Sequence, residues 1–187
     1  MKRRSALLAL AATGLFVLAP GPATADPNNA SGTWEVHIEV PNVAMASNGD
    51  TLAITGMGVF STHPKGVTAS GSFMHNVAGG GAFTGTWTAT DLLSFEFYGC
   101  GVIPSIGATL PPDLCGGALK MRVVFTPAGT SLTIPGIITV FCVIGPQAPS
   151  PHDNPTQPGE EGMTAVVPGI ANFNKIVSGM NVYIQTS

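Results

Sequence analysis

Charge is what this 187-residue sequence has least of: Asp, Glu, Lys and Arg together make up 9% of it, against about 25% in an average soluble domain. Basic residues are the scarcest, and three of the seven, Lys2, Arg3 and Arg4, crowd into the first four positions. Beyond residue 25, Lys65, Lys120, Arg122 and Lys175 stand against ten acidic residues, a net charge of −6. Such a surface repels phosphate backbones and argues against a nucleic-acid partner. No apolar run is long enough to cross a bilayer, which takes about 20 residues; the run Ala6 to Ala19 has fourteen. Helical periodicity is missing too, since no stretch of ten or more residues repeats its apolar positions every 3.6, and no internal repeat marks a solenoid or propeller. The sequence contains no G-x-S-x-G elbow, no G-x-x-x-x-G-K phosphate loop and no C-x-x-C pair. The usual signatures of a serine hydrolase, a nucleotide site and a zinc or redox site are therefore lacking, and no cofactor is expected.

What is present begins with a leader. A basic head, the apolar run and the small-residue site Ala23-Thr24-Ala25 together form a secretory signal peptide over residues 1–25. The mature chain, 26–187, has the size of one domain with one core, secreted or periplasmic, with no membrane association expected once the signal is removed. Asn29-Ala30-Ser31 matches a glycosylation sequon, idle in a bacterial-looking precursor.

In that mature chain the dominant pattern has a period of two, the mark of strands with one face in the core. Trp34, Val36, Ile38 and Val40 alternate with Glu35, His37 and Glu39. Between Gly79 and Gly101 the apolar set is Phe83, Trp87, Ala89, Leu93, Phe95 and Phe97, interleaved with threonines, Ser94 and Glu96. As one strand this stretch would far exceed the usual ~17–20 Å, so a hairpin or a bulge is expected near Thr90 and Asp91. Further strands are read at Thr51 to Thr62, with a bulge or tight bend at Gly56 and Gly58, at Val67 to Asn76, Ala118 to Thr126, Ser131 to Val143, Met163 to Val167 and Met180 to Gln185. Five prolines make residues 144–162 an extended loop. The expected fold is all-β: a single antiparallel barrel or flattened barrel of about eight to nine strands.

Three cysteines in an exported chain predict one disulfide and one thiol left over. Strand direction places Cys100, Cys115 and Cys142 at one end of the sheet. Cys100 and Cys142, both at the ends of apolar strands, are the first choice of pair, with Cys100–Cys115 the alternative; a three-cysteine metal site lacks the spacing that such sites use. Histidine is sparse. A hairpin turning at Lys65-Gly66 sets His75 opposite about position 56, too far from His63 for the two to share an ion. Glu35, His37 and Glu39 share a wet strand face, His152-Asp153 lies in the proline-rich loop, and Gly79-Gly80-Gly81 enters a strand.

Gly32-Thr33-Trp34 at the first strand, repeated as Gly85-Thr86-Trp87, resembles the G-x-W opening of calycin barrels, the lipocalin and avidin-like group. No arginine follows Arg122 to pack on the tryptophan, as lipocalins usually have, and two tryptophans are few for an avidin-like site. The resemblance implies a small closed barrel, and allene-oxide-cyclase-like barrels fit as well. Small barrels either fill their interior or enclose one ligand. Trp87, Phe95, Phe97, Met121 and Phe125 are the expected lining of an apolar-ligand site. The functional expectation is a secreted, non-enzymatic binding or surface barrel, whose inward faces permit a small apolar molecule as partner and equally permit a solid core. One alternative is an outer-membrane barrel with Glu35, His37 and Glu39 in its lumen and Trp34 and Val36 toward lipid. The other is an isomerase or hydrolase working at the barrel mouth.

Overall fold

The computed structural model describes residues 31–149 and 161–187. The expected signal peptide, Asn29-Ala30, His152-Asp153 and the middle of the proline-rich loop lie outside the described residues. Within them the strands are β1 (Thr33–Ala46), β2 (Thr51–Thr62), β3 (Lys65–Asn76), β4 (Ala82–Cys100), β5 (Val102–Ile103), β6 (Ala108–Thr109), β7 (Leu114–Pro127), β8 (Ile134–Cys142), β9 (Gly162–Val167) and β10 (Ala171–Gln185). Eight of them close an antiparallel barrel in the order β1-β10-β9-β8-β7-β4-β3-β2. β5 and β6 form a separate two-residue ribbon in the connection from β4 to β7.

Alternation decides which face turns inward. Trp34, Val36 and Ile38 of β1 are buried, while Glu35 and His37 lie toward solvent. This is the reverse of the expectation for an outer-membrane barrel, whose apolar side chains face outward around a polar lumen. β1 runs past its expected end at Val40, because the three residues Glu39, Val40 and Pro41 loop out opposite Thr55 and the ladder resumes at Asn42–Ile54. The irregularity expected at Gly56 and Gly58 thus falls on β1. Against β3 the register of β2 is unbroken.

The glycines of β2 and β3 serve a different purpose. Gly56, Gly71 and Trp87 lie in one row across β2, β3 and β4, and the indole of Trp87 covers the two glycines and donates its Nε1–H to the carbonyl of Thr55 at 2.9 Å. A Cβ on Gly56 would sit 2.5 Å from the Trp87 ring, and one on Gly71 would come 1.8 Å from Thr55 O. Glycine is required here so that a bulky ring can lie flat against backbone.

β4 is one continuous 19-residue strand, so of the two expected devices the bulge is the one used. Register against β7 shifts between Ala89 and Asp91, again between Leu92 and Ser94, and again between Phe97 and Gly99. Each shift swaps the faces of the residues beyond it. Trp87 and Phe95 point inward as expected and Phe97 packs half-buried against the core, but Leu92 replaces Leu93 as the buried residue, Tyr98 is buried as well, and Phe83 is 58% exposed.

The disulfide corrects the first choice of pair. Cys100 is bonded to Cys115 and Cys142 is a buried free thiol. Cys100 and Cys115 face each other at the end of the β4–β7 ladder with Cα atoms 3.9 Å apart. Cys142 is in register with Gly117; its thiol turns inward and donates to Asn181 O and Cys115 O at 3.1 and 3.4 Å. The three cysteines do share one end of the barrel, and register decides which two bond.

That end is solid. Trp34 stacks on Phe60 with ring centroids 5.3 Å apart, Phe95 meets both at 5.1 and 4.7 Å, and Tyr183 closes the cluster edge-on to Phe60 and Phe95. Burial of each such side chain contributes roughly 1.5–3 kcal/mol before chain entropy is counted. One polar atom in the cluster is left over: the Trp34 indole N–H is buried without a hydrogen-bond partner.

Candidate functional site

The opposite end of the barrel is open. The β1–β2, β3–β4, β7–β8 and β9–β10 turns all fall there. The strand ends between them surround a cavity of about 380 Å³, lined by Leu52, Phe73, His75, Phe83, Phe125, Pro127, Ile134, Val167 and Phe173, with Thr130, Leu132 and Ile170 from the turns. Phe73 meets Phe125 edge-on at 5.3 Å on one side. On the other, His75 lies edge-on to Phe173 at 5.5 Å and tilted over Phe83 at 6.1 Å. Phe83 and Leu132, each 58% exposed, form the rim. Of the five residues expected to line a ligand site, Phe125 lines this cavity. Trp87, Phe95 and Met121 are packed in the core, and Phe97 lies half-buried against it.

The polar side chains lining the cavity are His75 and Thr130. The Thr130 hydroxyl is already occupied: it donates to Pro127 O at 3.0 Å and accepts the Leu132 N–H at 3.3 Å. His75 is oriented by Asp50, with Nε2 3.0 Å from Asp50 Oδ2. Asp50 is held by the turn that leads into β2, where its own N–H donates to Asn48 Oδ1 at 3.1 Å and its Oδ1 accepts the Ala78 N–H at 2.9 Å. The Ala78 N–H, and after it the bond to His75, hold the Asp50 carboxyl below its usual value, so it is an anion at neutral pH. An anion on Nε2 fixes the proton of the neutral ring there and leaves Nδ1 as a lone-pair acceptor. Among the described residues Nδ1 has no hydrogen-bond partner.

Sequence reasoning missed this pair. His75 is in register with Leu52 and not with position 56, because the β2–β3 turn is the two residues His63-Pro64. That register carries His75 to the mouth, beside the Asn48-Gly49-Asp50 turn, and His63 to the far end, so the two histidines remain well separated. Counting outward from the turn would have exposed the pair.

The other candidates resolve differently. His37 lies between Glu35 and Glu39 on a wet face, its Nε2 3.1 Å and Nδ1 3.8 Å from their carboxylates. Among the described residues no three His, Cys, Asp or Glu side chains gather into a metal set. Gly79-Gly80-Gly81 forms the β3–β4 turn, with Gly80 and Gly81 at positive φ, and Val77 accepts and donates across it. An outer-face hollow of about 530 Å³ passes over Ala53, Thr55, Met74, Thr84 and Thr86 and contains no titratable side chain.

A second polar cluster lies buried near the solid end, in the gap between β8 and β10 before β9 begins. Glu161 fills the gap, accepting the Val143 N–H at 2.9 Å and the Asn181 N–H at 2.6 Å. The Asn181 amide donates to Phe141 O and Gly162 O and accepts from Asn42. Burial pushes the Glu161 carboxyl up to about 6, with the two N–H bonds opposing. Burial, and then the Glu161 charge, push the Cys142 thiol up to about 12; burial likewise raises the Tyr183 phenol, which donates to Val140 O at 2.8 Å. A thiol so shielded stays protonated and unreactive. The cluster satisfies strand ends.

No protein-family model, no curated protein and no solved structure matches this chain.

Proposed function

We propose that this protein is a secreted, non-enzymatic barrel that holds one small apolar molecule in its open end. The observation that carries the reading is the cavity of about 380 Å³ walled by four phenylalanines and aliphatic side chains, within the ~300–1,000 Å³ range of ligand pockets. Phe83 and Leu132 lie exposed on its rim, and an apolar patch at a concavity is a common mark of a binding surface. Export is supported by the basic head, apolar run and A-x-A site, and by a disulfide, which persists in oxidising compartments. No helix among the described residues is long and apolar enough to cross a membrane.

The test is equilibrium dialysis of the mature protein against naphthalene. One saturable site is expected, weakened in Leu132→Asp, which sets a charge on the exposed rim without touching the core. Uptake that never saturates, or that Leu132→Asp leaves unchanged, refutes the pocket as the site. N-terminal sequencing of the exported protein should begin at Asp26.

The His75–Asp50 pair favours a second reading, because an imidazole oriented by a carboxylate is the base half of a hydrolytic site. The hydroxyl lining the pocket, that of Thr130, donates to Pro127 O instead, which supports binding over hydrolysis. Turnover of p-nitrophenyl acetate that disappears in His75→Phe would reverse that preference.

A further inference from the structure

We infer that the pocket selects a neutral lipophilic alcohol, a compact apolar body whose single hydroxyl donates a hydrogen bond to His75 Nδ1. This rests on the pocket reading above and adds the chemistry of the polar end. Three observations converge on it. Asp50 occupies Nε2 and is itself locked by the Ala78 N–H, so the neutral imidazole presents an acceptor and no donor on its remaining nitrogen. The Thr130 hydroxyl is engaged in both directions within its own loop, which leaves His75 as the polar side chain of the lining able to recognise a ligand. The rest of the lining is hydrocarbon, including Phe73, Phe83, Phe125 and Phe173.

Charge excludes the two other simple classes of polar end. A carboxylate ligand would need the imidazolium, and the site would then hold two anions and one cation in an apolar pocket, a net buried charge that is costly without further partners. An ammonium ligand carries three donors and would find one free acceptor in Nδ1, leaving charged N–H groups unpaired among hydrocarbon. A hydroxyl supplies the one donor that Nδ1 lacks and brings no charge.

Isothermal titration of the mature protein at pH 8 compares naphthalene, 2-naphthol and 2-naphthoate. One hydrogen bond of ordinary net strength corresponds to a roughly 2- to 12-fold preference for 2-naphthol over naphthalene. His75→Phe should abolish that preference, so that naphthalene and 2-naphthol bind the variant equally. Because the substitution also releases Asp50, a measurement on the wild type accompanies it: the ¹⁵N resonance of His75 Nδ1 should move on addition of 2-naphthol and stay in place with naphthalene. Equal affinity for naphthalene and 2-naphthol, tighter binding of 2-naphthoate, or an unmoved Nδ1 resonance at saturation overturns the inference while leaving the pocket intact. Failure of both naphthalene and 2-naphthol to bind overturns the pocket reading and this inference together.

Discussion

Glu161 makes the protein more stable in mild acid than at neutral pH. Its carboxyl titrates at about 6 in the folded chain against an ordinary value of 4.5, so between those two values the folded state holds a proton that the unfolded chain has released. A folded-state pKa raised in this way contributes stability that is fully present below about 4.5 and is lost as pH rises through about 6. The shift corresponds to ~2 kcal/mol at 1.36 kcal/mol per unit. The groups closest to it do not blur the effect: burial keeps the Cys142 thiol and the Tyr183 phenol protonated throughout. The depressed Asp50 carboxyl acts in the opposite direction, its stability lost only as pH falls below the ordinary 3.8. Urea unfolding followed by tryptophan fluorescence at half-unit steps from pH 4.5 to 7.5 measures the effect. With an m-value of ~2 kcal/mol per M, the midpoint should drop by about 1 M across that range. In Glu161→Gln the amide leaves the Val143 or the Asn181 N–H facing a donor, which costs roughly 1–3 kcal/mol at every pH, but the slope between pH 4.5 and 7 should vanish. A wild-type midpoint that is flat or rises with pH, or an unchanged slope in Glu161→Gln, refutes the reasoning.

Other consequences are equally direct. Native unreduced protein should show no thiol reactive toward Ellman's reagent, one after denaturation and three after reduction; three in denaturant alone would remove the Cys100–Cys115 bridge. Replacing both bonded cysteines by alanine should lower stability by ~3 kcal/mol, the chain-entropy value for a loop of this size, read from the urea midpoint. Gly71→Ala drives a Cβ into Thr55 O and should cost at least ~1–3 kcal/mol, whereas Gly79→Ala, which meets nothing within 4 Å, should stay within about 0.5 kcal/mol; equal melting temperatures for the two would refute the close approach of β3 to β2 at Thr55. Trp34→Phe retains an aromatic ring against Phe60 and removes the stranded indole N–H, so it should cost much less than the ~3–5 kcal/mol of Trp34→Ala in the same assay.

Strand identity was legible wherever alternation ran unbroken, as in β1 from Trp34 to Ile38 and in β7 from Leu119 to Phe125. β4 shows where that legibility stops. Thr90 and Leu93 look like ordinary members of the pattern, yet the register shifts beside them move burial from Leu93 to Leu92. A bulge depends on the strand alongside, and nothing local announces it. The cysteines followed the same rule: strand direction was enough to bring all three to one end, and only the register of β4 against β7 selected Cys115 over Cys142. For the candidate site, Phe125 was placed at the cavity, but the other expected lining residues pack in or against the core, and the Asp50–His75 pair depended on the exact length of the β2–β3 turn.

The sequence by itself determined a chain of short-period strands with an apolar inner face and almost no surface charge, because side-chain alternation is a property of neighbouring residues. Tertiary structure alone decided which half of the barrel is filled and which is open. That outcome depends on rings distant in the chain, such as Trp34, Phe60, Phe95 and Tyr183, meeting at one end, while at the other His75 comes to rest against an aspartate 25 positions earlier. Closure of the sheet sets those distances, and closure is a relation among all eight strands at once.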